Sequence, residues 1–400
     1  MSGTPARKRR SLATVFRSER YSAISLLAAA VLGIILTNSV AGPGLIALSH
    51  QHITIPGTAF DLSVEHWITD GLLALFFFIV AVELRHELTR GELNSFSRAL
   101  APTIAAVAGV AVPAAVYLAI AGPEFARGWP IPVATDIAFA LGLIALVGRG
   151  LPPNIRVFLL ALAVIDDLIA IVLIAVLFAH GFDWVALVAA IGSVALFMGV
   201  GCIRATRPST RALRALALGV LALSAWSATV SSGIHATIAG VALGLVLRPK
   251  LAEKAAHAIQ PAVNAAVLPL FAFVSSLVIL PSGGYEALGP VFFAIAIALP
   301  LGKIIGITAG GWVVGRVARR LGASAGVHGA NLVTVSAVAG IGFTVSLLMN
   351  QLAFANDPAL QDQGVLGVLA GSAVSIAIGG VLVAWRARLA RTATARSGRG

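Results

Sequence analysis

The chain has 400 residues, of which 58% are hydrophobic and only 11% are charged. Soluble domains carry about 25% charged residues, so this composition excludes a soluble globular protein. The net charge of +12 does not indicate a nucleic-acid-binding protein, because the basic residues are scattered between apolar runs. The single cysteine, Cys202, excludes an intramolecular disulfide framework and a cysteine-based metal site.

Apolar runs of roughly 20 residues, long enough to cross a bilayer, recur along almost the whole chain and predict about twelve transmembrane helices. They lie near residues 21–41, 66–88, 98–120, 129–148, 154–179, 184–203, 212–230, 232–247, 259–280, 287–315, 328–350 and 364–385. We therefore predict an all-α polytopic membrane protein. A single transmembrane domain, residues 21–385, lies between two basic tails, residues 1–20 and 386–400.

The distribution of positive charge predicts the orientation of these helices. If the N-terminus is cytoplasmic, 26 of the 28 Lys and Arg residues fall on the cytoplasmic side. The exceptions are Arg127, in an external segment, and Lys303, inside the tenth helix. Such asymmetry follows the positive-inside rule. It predicts an even number of helices with both termini in the cytoplasm.

Two external connections are long enough to hold structure, residues 42–65 and residues 351–362. In the first, residues 52–55 and 58–62 are short β-type runs on either side of Pro56-Gly57. This pattern is typical of a hairpin. An irregular loop is equally compatible with the local sequence.

Several ionisable residues fall inside predicted helices, where a charge at the helix centre costs at least about 2.5–3.5 kcal/mol. The candidates for a functional role are Asp70 and Glu83 in the second helix, Asp136 in the fourth, Asp166 and Asp167 in the fifth and Lys303 in the tenth. Charged groups within a bilayer usually mark ion or proton pathways. The sequence therefore predicts an ion-coupled transporter.

The vicinal pair Asp166 and Asp167 is the strongest of these signals. Adjacent residues of a helix point about 100° apart, so one carboxylate can face an ion cavity while the other faces a neighbouring helix. Two close anions resist simultaneous ionisation in a low dielectric, which couples their titrations. Such a pair suits a site that holds protons at one moment and a small cation at another. The alternative is a structural pair that caps neighbouring helices or binds a fixed cation.

Lys303 supplies the opposite charge, and one aspartate of the pair is its natural partner. A sodium ion at the carboxylates would compete with this lysine, and protons bound there would expel the sodium. This competition alone predicts exchange of sodium for protons. The alternative is a lysine near a helix end whose ammonium group extends to the membrane surface.

The fourth and eleventh predicted helices contain residues that interrupt helices. Pro130 and Pro132 precede Asp136 in the fourth, and residues 340–344 of the eleventh read Gly-Ile-Gly-Phe-Thr. Broken helices expose half-helix dipoles within the membrane, where they need compensating charges. We expect Asp136 to offset positive helix ends and Lys303 to offset negative ones.

The histidines have simpler interpretations. We predict that His235 is a packed, hydrogen-bonded side chain rather than a ligand. His86 and His257 lie near the cytoplasmic face, close in sequence to Glu83 and Glu253, and they are candidates for a pH sensor because histidine titrates near neutral pH. A solvated cluster of ordinary interface charges is the alternative.

Several stretches resemble the NhaA family of bacterial sodium/proton antiporters, over about residues 16–385. They are 134–142 (ATDIAFALG), 151–172 with its ALAVIDDLIAIV, Gly302-Lys303 followed by Gly306-Ile307, His235 with its neighbours, and 340–346 (GIGFTVS). The resemblance implies inverted repeats in which the fourth and eleventh helices cross as interrupted helices. It also implies a homodimer in the bacterial inner membrane, joined through the hairpin of residues 50–63.

The resemblance further implies an electrogenic exchanger without a cofactor, which moves more protons than sodium ions. Such a protein uses the proton gradient to export sodium or lithium, works best at alkaline pH and contributes to pH and sodium homeostasis. The implied residue roles are ion and proton binding by Asp166 and Asp167, charge compensation by Asp136 and Lys303, a supporting role for Asp70 and a pH response by Glu83. From the residues themselves, Thr135 is a further supporting candidate, and His86, Glu253 and His257 are further candidates for the pH response.

Two departures from the family pattern stand out. The ninth helix continues Val274-Ser275-Ser276 where Asn-Ala-Gly is usual, and Ala256 precedes His257 where some relatives carry glutamate. The predicted exchange site is untouched by both departures, whereas the second one bears on the pH threshold.

Three other functions are alternatives to sodium/proton antiport. An intramembrane aspartyl protease needs two aspartates on different helices, which Asp136 and Asp166 would satisfy, but neither aspartate lies in a Gly-x-Gly-Asp motif. A passive cation channel needs a selectivity filter, and no segment resembles one. A carrier of another substrate with related architecture remains compatible with the residues alone.

Overall fold

A computed structural model describes residues 19–54, 61–91, 93–179, 181–281, 288–320, 327 and 329–397. These residues form helices and one two-stranded sheet. In chain order the elements are α1 (Glu19–Thr37), α2 (Gly42–Ser49), β1 (His52–Thr54), β2 (Asp61–Ser63), α3 (Val64–Thr89), α4 (Phe96–Ala121), α5 (Ile137–Val147), α6 (Pro153–Leu177), α7 (Trp184–Cys202), α8 (Pro208–Ser231), α9 (Thr237–Val246), α10 (Pro249–Val274), α11 (Pro290–Val317), α12 (Ala330–Ala339), α13 (Phe343–Ala353) and α14 (Pro358–Ser397).

Eight of the described helices are long and apolar enough to cross a membrane. Two bent pairs, α1 with α2 at 116° and α12 with α13 at 48°, raise the number to ten if each pair is one crossing. Two shorter apolar segments, Ile131–Val147 and Thr237–Val246, lie where the fourth and eighth helices were predicted. The all-α polytopic fold is confirmed, whereas the count of twelve crossings stays a prediction.

The β-hairpin marks one end of the helix bundle, which we call the hairpin end. Its strands pair antiparallel in the register His52↔Ser63, Ile53↔Leu62 and Thr54↔Asp61. The hydroxyl of Thr54 and the ring of His52 both contact the Asp61 carboxylate, at 2.9 and 3.1 Å, and they lower its pKa. A hairpin is thus formed, although residues 55–60, with most of the predicted second run, lie outside the described part.

The opposite end of the bundle, where α3 ends and α10 begins, is called the basic end. Arginines are concentrated there and hold the loops to the helices. Arg85 donates to the carbonyl oxygens of Leu245 and Leu247 at the end of α9, and Arg248 donates to that of Cys202 at the end of α7. These bonds satisfy carbonyl groups that helix C-termini leave without intrahelical partners.

The chain leaves the helical conformation at the two places where the sequence predicts an interrupted helix. Pro132 lies in a short 3-10 turn, Ile131–Val133, and residues 134–136 after it are extended. Residues 340–342 separate α12 from α13. The two interruptions meet, since the N–H of Asp136 donates to the carbonyl of Ile341 over 2.6 Å.

Close helix packing, which places the buried residues, depends on glycine. A Cβ on Gly306 of α11 would lie 2.3 Å from the carbonyl oxygen of Ala108 in α4. A Cβ on Gly240 of α9 would lie 2.1 Å from that of Ala74 in α3. Small residues allow such close approach in membranes. The contact at Gly306 holds the middle of α11, and therefore Lys303 one turn earlier, against α4.

Several predicted boundaries were wrong. The first helix ends at Thr37 instead of residue 41, and the segment assigned to an external loop contains α2. The ninth helix begins at Pro249, ten residues early, because proline is well placed in a first turn. The loop of 351–362 shrinks to 354–357, since Asp357 accepts from the N–H of Leu360 and caps α14. That helix runs to Ser397, through most of the predicted tail.

Candidate ion-exchange site

Helix α6 holds both aspartates of the predicted pair. Asp166 is fully buried and Asp167 is 7% exposed. The fully buried Lys303 of α11 donates from Nζ to Oδ2 of Asp166 over 2.6 Å. Asp167 instead lines a cavity. The pair is thus divided between an ion pair and an open space, as the 100° offset of adjacent helical residues predicts.

The cavity beside Asp167, which we call the ion cavity, has a volume of about 160 Å³. Six helices enclose it, namely α1, α3, α5, α6, α10 and α13. Its polar lining consists of Ser22, Glu83, Thr135, Asp136, Asp167, Gln260, Asn264 and Thr344. Ser22, Glu83 and Gln260 lie on the parts of α1, α3 and α10 that approach the basic end. The cavity therefore extends from the two interruptions toward that end.

Asp136 joins the N-terminal ends of two helices. Its Oδ1 accepts from the N–H of Phe139 in α5 at 3.1 Å. Its Oδ2 accepts from the N–H and the hydroxyl of Thr344 in α13, at 3.1 and 2.7 Å. Because the N-terminal end of a helix carries partial positive charge, a buried carboxylate is stabilised at this position. The prediction that Asp136 lies beside positive helix ends agrees with this geometry.

Thr135 lies in the extended segment between the interruptions and the aspartate pair. Its hydroxyl donates to the carbonyl of Ala339, the last residue of α12, over 2.7 Å. The same residue lies beside the Asp166 carboxylate. Thr135 therefore connects the two interruptions to the neighbourhood of Asp166.

Lys303 is paired with one aspartate, as predicted, and its compensation of a negative helix end stays a prediction. Its hydrogen bond is to Asp166, and in the described part of the chain it makes none to a backbone carbonyl of either interruption. The negative end of α12 is satisfied instead by the Thr135 hydroxyl. Any effect of the Lys303 charge on the negative end of α12 is therefore electrostatic and involves no hydrogen bond.

Two carboxylate oxygens at the site are available to bind a cation or a proton. One oxygen of each aspartate, Oδ1 of Asp166 and Oδ1 of Asp167, has no hydrogen-bond partner. Hard cations bind oxygen ligands such as carboxylates, and a carboxylate can take a proton in place of a cation. No group of three His, Cys, Asp or Glu side chains that could hold a metal occurs within the described residues. The arrangement thus suits a transient cation or proton.

Asp70 lies apart from the ion cavity. It is near the hairpin end, where its Oδ1 is 3.2 Å from Nε2 of His235 and its backbone carbonyl accepts from the indole of Trp226 at 2.9 Å. His235 also contacts the hydroxyl of Thr237 at 2.8 Å through Nδ1. The prediction of a packed, hydrogen-bonded histidine therefore agrees with the structure.

The candidate pH-responsive residues lie at the basic end. Nδ1 of His86 and Nη1 of Arg90 are 3.5 and 3.6 Å from the same oxygen of Glu253. The ring of His257 donates from Nδ1 to the backbone carbonyl of Glu253 at 2.9 Å. Glu83, one helical turn before His86, lines the ion cavity. Glu253 thus brings α3 and α10 together at the entrance side of the cavity.

Sequence reasoning missed four polar residues of the ion cavity, Ser22, Gln260, Asn264 and Thr344. Thr344 is the partner of Asp136, and Gln260 and Asn264 face the cavity from α10. A local signal existed for Asn264, which is an uncharged polar residue within an apolar run. No local signal pairs Thr344 with Asp136, since the two are 208 positions apart in the chain.

A family comparison covers nearly the whole chain. The family model described as Na+/H+ antiporter 1 matches residues 13–383. A protein of Clavibacter michiganensis subsp. michiganensis named Na(+)/H(+) antiporter NhaA 2 is 56% identical over 386 residues, covering 96% of this chain and 94% of its own. A protein of Tropheryma whipplei (strain TW08/27) named Na(+)/H(+) antiporter NhaA is 42% identical, covering 96% of this chain and 99% of its own. A protein of the same name from Streptomyces avermitilis is 40% identical, covering 95% of this chain and 82% of its own.

These matches set aside the protease considered from sequence, since the family consists of transporters rather than enzymes. The chain belongs to the NhaA family of sodium/proton antiporters.

Proposed function

We propose that this multi-pass bacterial membrane protein exports sodium, and lithium, in exchange for a larger number of protons. The exchange would be electrogenic and would contribute to pH and sodium homeostasis. The observation that carries the proposal is the division of the aspartate pair, with Asp167 on the ion cavity and Asp166 bonded to Lys303. No cofactor is needed, because the reaction consists of ion binding and release.

The exchange follows from competition at one site. With the site empty of sodium, Asp166 binds the Lys303 ammonium and Asp167 is able to hold a proton. A sodium ion entering the ion cavity would gain the oxygens of both carboxylates, so that the proton leaves Asp167 and the ammonium leaves Asp166. Protons arriving from the other side would restore the ion pair and release the sodium. A second transported proton would come from the Lys303 ammonium, because Asp166 carries no proton while it is paired with the lysine.

The orientation proposed is that of the positive-inside rule, with the basic end and both tails in the cytoplasm and the hairpin end outside. The location of 26 of the 28 Lys and Arg residues supports it. In this orientation the ion cavity lies on the cytoplasmic side, where sodium to be exported would enter. The domain of residues 21–385 would then span the inner membrane.

Inverted repeats with two interrupted helices would form the moving part. Asp136 would hold the positive ends of α5 and α13 together, with Lys303 as the counterpart charge and Thr135 connecting them to Asp166. Asp70 would act in support at the hairpin end, through its contact with His235. We further propose a homodimer joined through the hairpin of residues 50–63, whose strands leave exposed backbone edges for pairing.

A Glu253→Gln variant tests the proposed pH response of Glu83, His86, Glu253 and His257. Because a cluster with one negative charge fewer binds protons less readily, we expect the midpoint of activity against pH to move about 0.5 unit or more toward acid. The measurement is sodium-driven proton movement across a pH series. Glu124→Gln, an exposed carboxylate at the other end of the bundle, is the control, and an unchanged midpoint in Glu253→Gln would remove the cluster from the proposal.

Reconstitution into vesicles with an internal pH dye tests the function itself. Addition of sodium or lithium outside should drive proton movement, whereas potassium should not, because the family is one of sodium/proton antiporters. A potential-sensitive dye should report net charge movement in the same vesicles. Proton movement driven equally by potassium would favour a carrier of different selectivity, and no proton movement with any cation would contradict antiport.

A further inference from the structure

A second polar cavity lies at the hairpin end, and the ion-exchange mechanism does not use it. It has a volume of about 180 Å³ and is enclosed by α2, α3, α13, α14 and the chain after α10. We call it the hairpin cavity. Its polar lining includes Ser49, His50, Glu65, Ser275, Gln351 and Asp362. Ser275 belongs to the Val274-Ser275-Ser276 departure from the family pattern. That departure has no role in the exchange site.

Gln351 is the centre of the hydrogen bonding in this cavity. Its amide nitrogen donates to Oε1 of Glu65 and to Oγ of Ser275, both at 3.1 Å. Both amide hydrogens are therefore used. The amide oxygen, Oε1, is buried and has no partner. A buried acceptor without a donor is costly, and this oxygen is available to accept a further hydrogen bond or to bind a cation.

The charges of the cavity lead to the same conclusion. Glu65 and Asp362 both line it, and the described lining contains neither lysine nor arginine. The basic residue of the described lining is His50, whose Nε2 is 3.8 Å from Oε2 of Glu65 and whose side chain is 68% exposed. The two carboxylates therefore give the buried side of the cavity a negative character. Hard cations bind sites composed of carboxylate, amide and hydroxyl oxygens, whereas a transition metal would need the clustered His, Cys, Asp or Glu side chains that the described part lacks.

The hairpin cavity and the ion cavity are lined by the same three helical segments. Glu83 and Glu65 lie on α3, Asn264 lies on α10 and Ser275 just after it, and Thr344 and Gln351 lie on α13. Seven residues separate Thr344 from Gln351, which is about 10 Å along a helix. Since Thr344 holds Asp136 at one end of α13 and Gln351 holds Glu65 at the other, an ion bound at Gln351 acts on the helix that also forms the interruption.

We propose that the hairpin cavity is a second sodium site, located on the release side of the exchange site. The sodium would be bound by oxygens of Glu65, Gln351, Ser275 and Asp362. The proposal rests on the proposed function only for the identity of the cation and the direction of release. Occupation of this site would place an ion between the exchange site and the solution outside, and it would respond to external sodium.

Direct binding of radioactive sodium to the purified full-length protein tests the site without relying on transport. The background is the double variant Asp166→Asn/Asp167→Asn, in which the exchange site cannot hold the ion. We expect saturable sodium binding to remain there. Adding Glu65→Gln, which keeps a hydrogen-bond acceptor for Gln351 but removes the charge, should weaken the remaining binding about tenfold or more. The matched control, Glu124→Gln, should leave it unchanged.

Three results would overturn the second site. They are the absence of sodium binding in the double variant, equal binding with and without Glu65→Gln, and binding of calcium in place of sodium. A circular-dichroism melt of each variant distinguishes loss of binding from loss of folding, and Asp362→Asn provides an independent variant if Glu65→Gln does not fold. Failure of antiport in wild-type vesicles would contradict the proposed function, yet it would leave this binding result intact.

In vesicles, Glu65→Gln alone should retain exchange and change one property. The concentration of sodium on the hairpin side that half-inhibits proton-driven sodium release should rise about tenfold. Its dependence on sodium at the basic side should stay as in wild type, because the ion cavity is untouched. A shift on both sides would show that Glu65 acts on the exchange site and would overturn a separate second site.

Discussion

An Asp167→Asn variant is expected to lose sodium-driven proton movement down to the level of empty vesicles. Asparagine has neither a negative charge for a cation nor a proton to give up near neutral pH. Asp167 is the member of the pair that lines the ion cavity, so its replacement removes the charged contact that an entering ion meets. The measurement is the vesicle assay with an internal pH dye, with sodium and with lithium.

Asp183→Asn is the matched control for this result. Asp183 is an exposed aspartate that caps α7 by accepting from the N–H groups of Val185 and Ala186. Because asparagine is as good a cap as aspartate, the control changes the same functional group without affecting folding, and it should exchange ions like wild type. Undiminished exchange in Asp167→Asn would contradict the proposed site.

The two aspartates should also differ in a way that a merely structural pair would not. Asp166→Asn leaves the buried Lys303 ammonium without its carboxylate, so the variant should lose stability as well as transport. Asp167→Asn leaves the Lys303–Asp166 contact intact and should keep near-wild-type stability while sodium binding to the ion cavity is lost. Equal losses of stability in both variants would favour the alternative of a structural pair.

Features with a local energetic cause could be predicted from the sequence. The long helices follow from apolar runs that a bilayer requires, and the buried carboxylates follow from their high cost in such runs. The division of Asp166 from Asp167 follows from helix geometry alone. Pro130, Pro132 and Gly340 indicated where helices are interrupted, because their effect on the backbone is local.

Features that depend on distant contacts could not be predicted in this way. The bonds of Asp136 to Thr344 and of Gln351 to Glu65 join residues far apart in the chain, and a single sequence holds no signal for either pair. Helix α2 was missed because its eight residues, Gly-Pro-Gly-Leu-Ile-Ala-Leu-Ser, begin with two glycines and a proline. Such a composition is typical of loops, although proline is also favourable at a helix start.

A Lys303→Met variant is expected to lower the free energy of unfolding by about 3–5 kcal/mol, because it leaves the fully buried Asp166 without a counter-charge. Methionine is similar to lysine in length and lacks its charge, so little packing is lost. The measurement is loss of helix content during titration with sodium dodecyl sulfate in mixed micelles. Ile307→Val, a buried change on the same helix, is the control and should cost about 0.5–1.5 kcal/mol.

The double variant Lys303→Met/Asp166→Asn shows how much of the stability loss comes from the unpaired charge and how much from altered packing. Removing both charges takes away the attraction and also the burial cost of each ion, so the double variant should recover most of the stability lost in either single variant. Transport should nevertheless stay absent, since no group remains that exchanges a proton or an ammonium for sodium at Asp166. Additive losses in the double variant would mean that Lys303 and Asp166 stabilise the protein independently, and the competition proposed between lysine and sodium would then have no energetic basis.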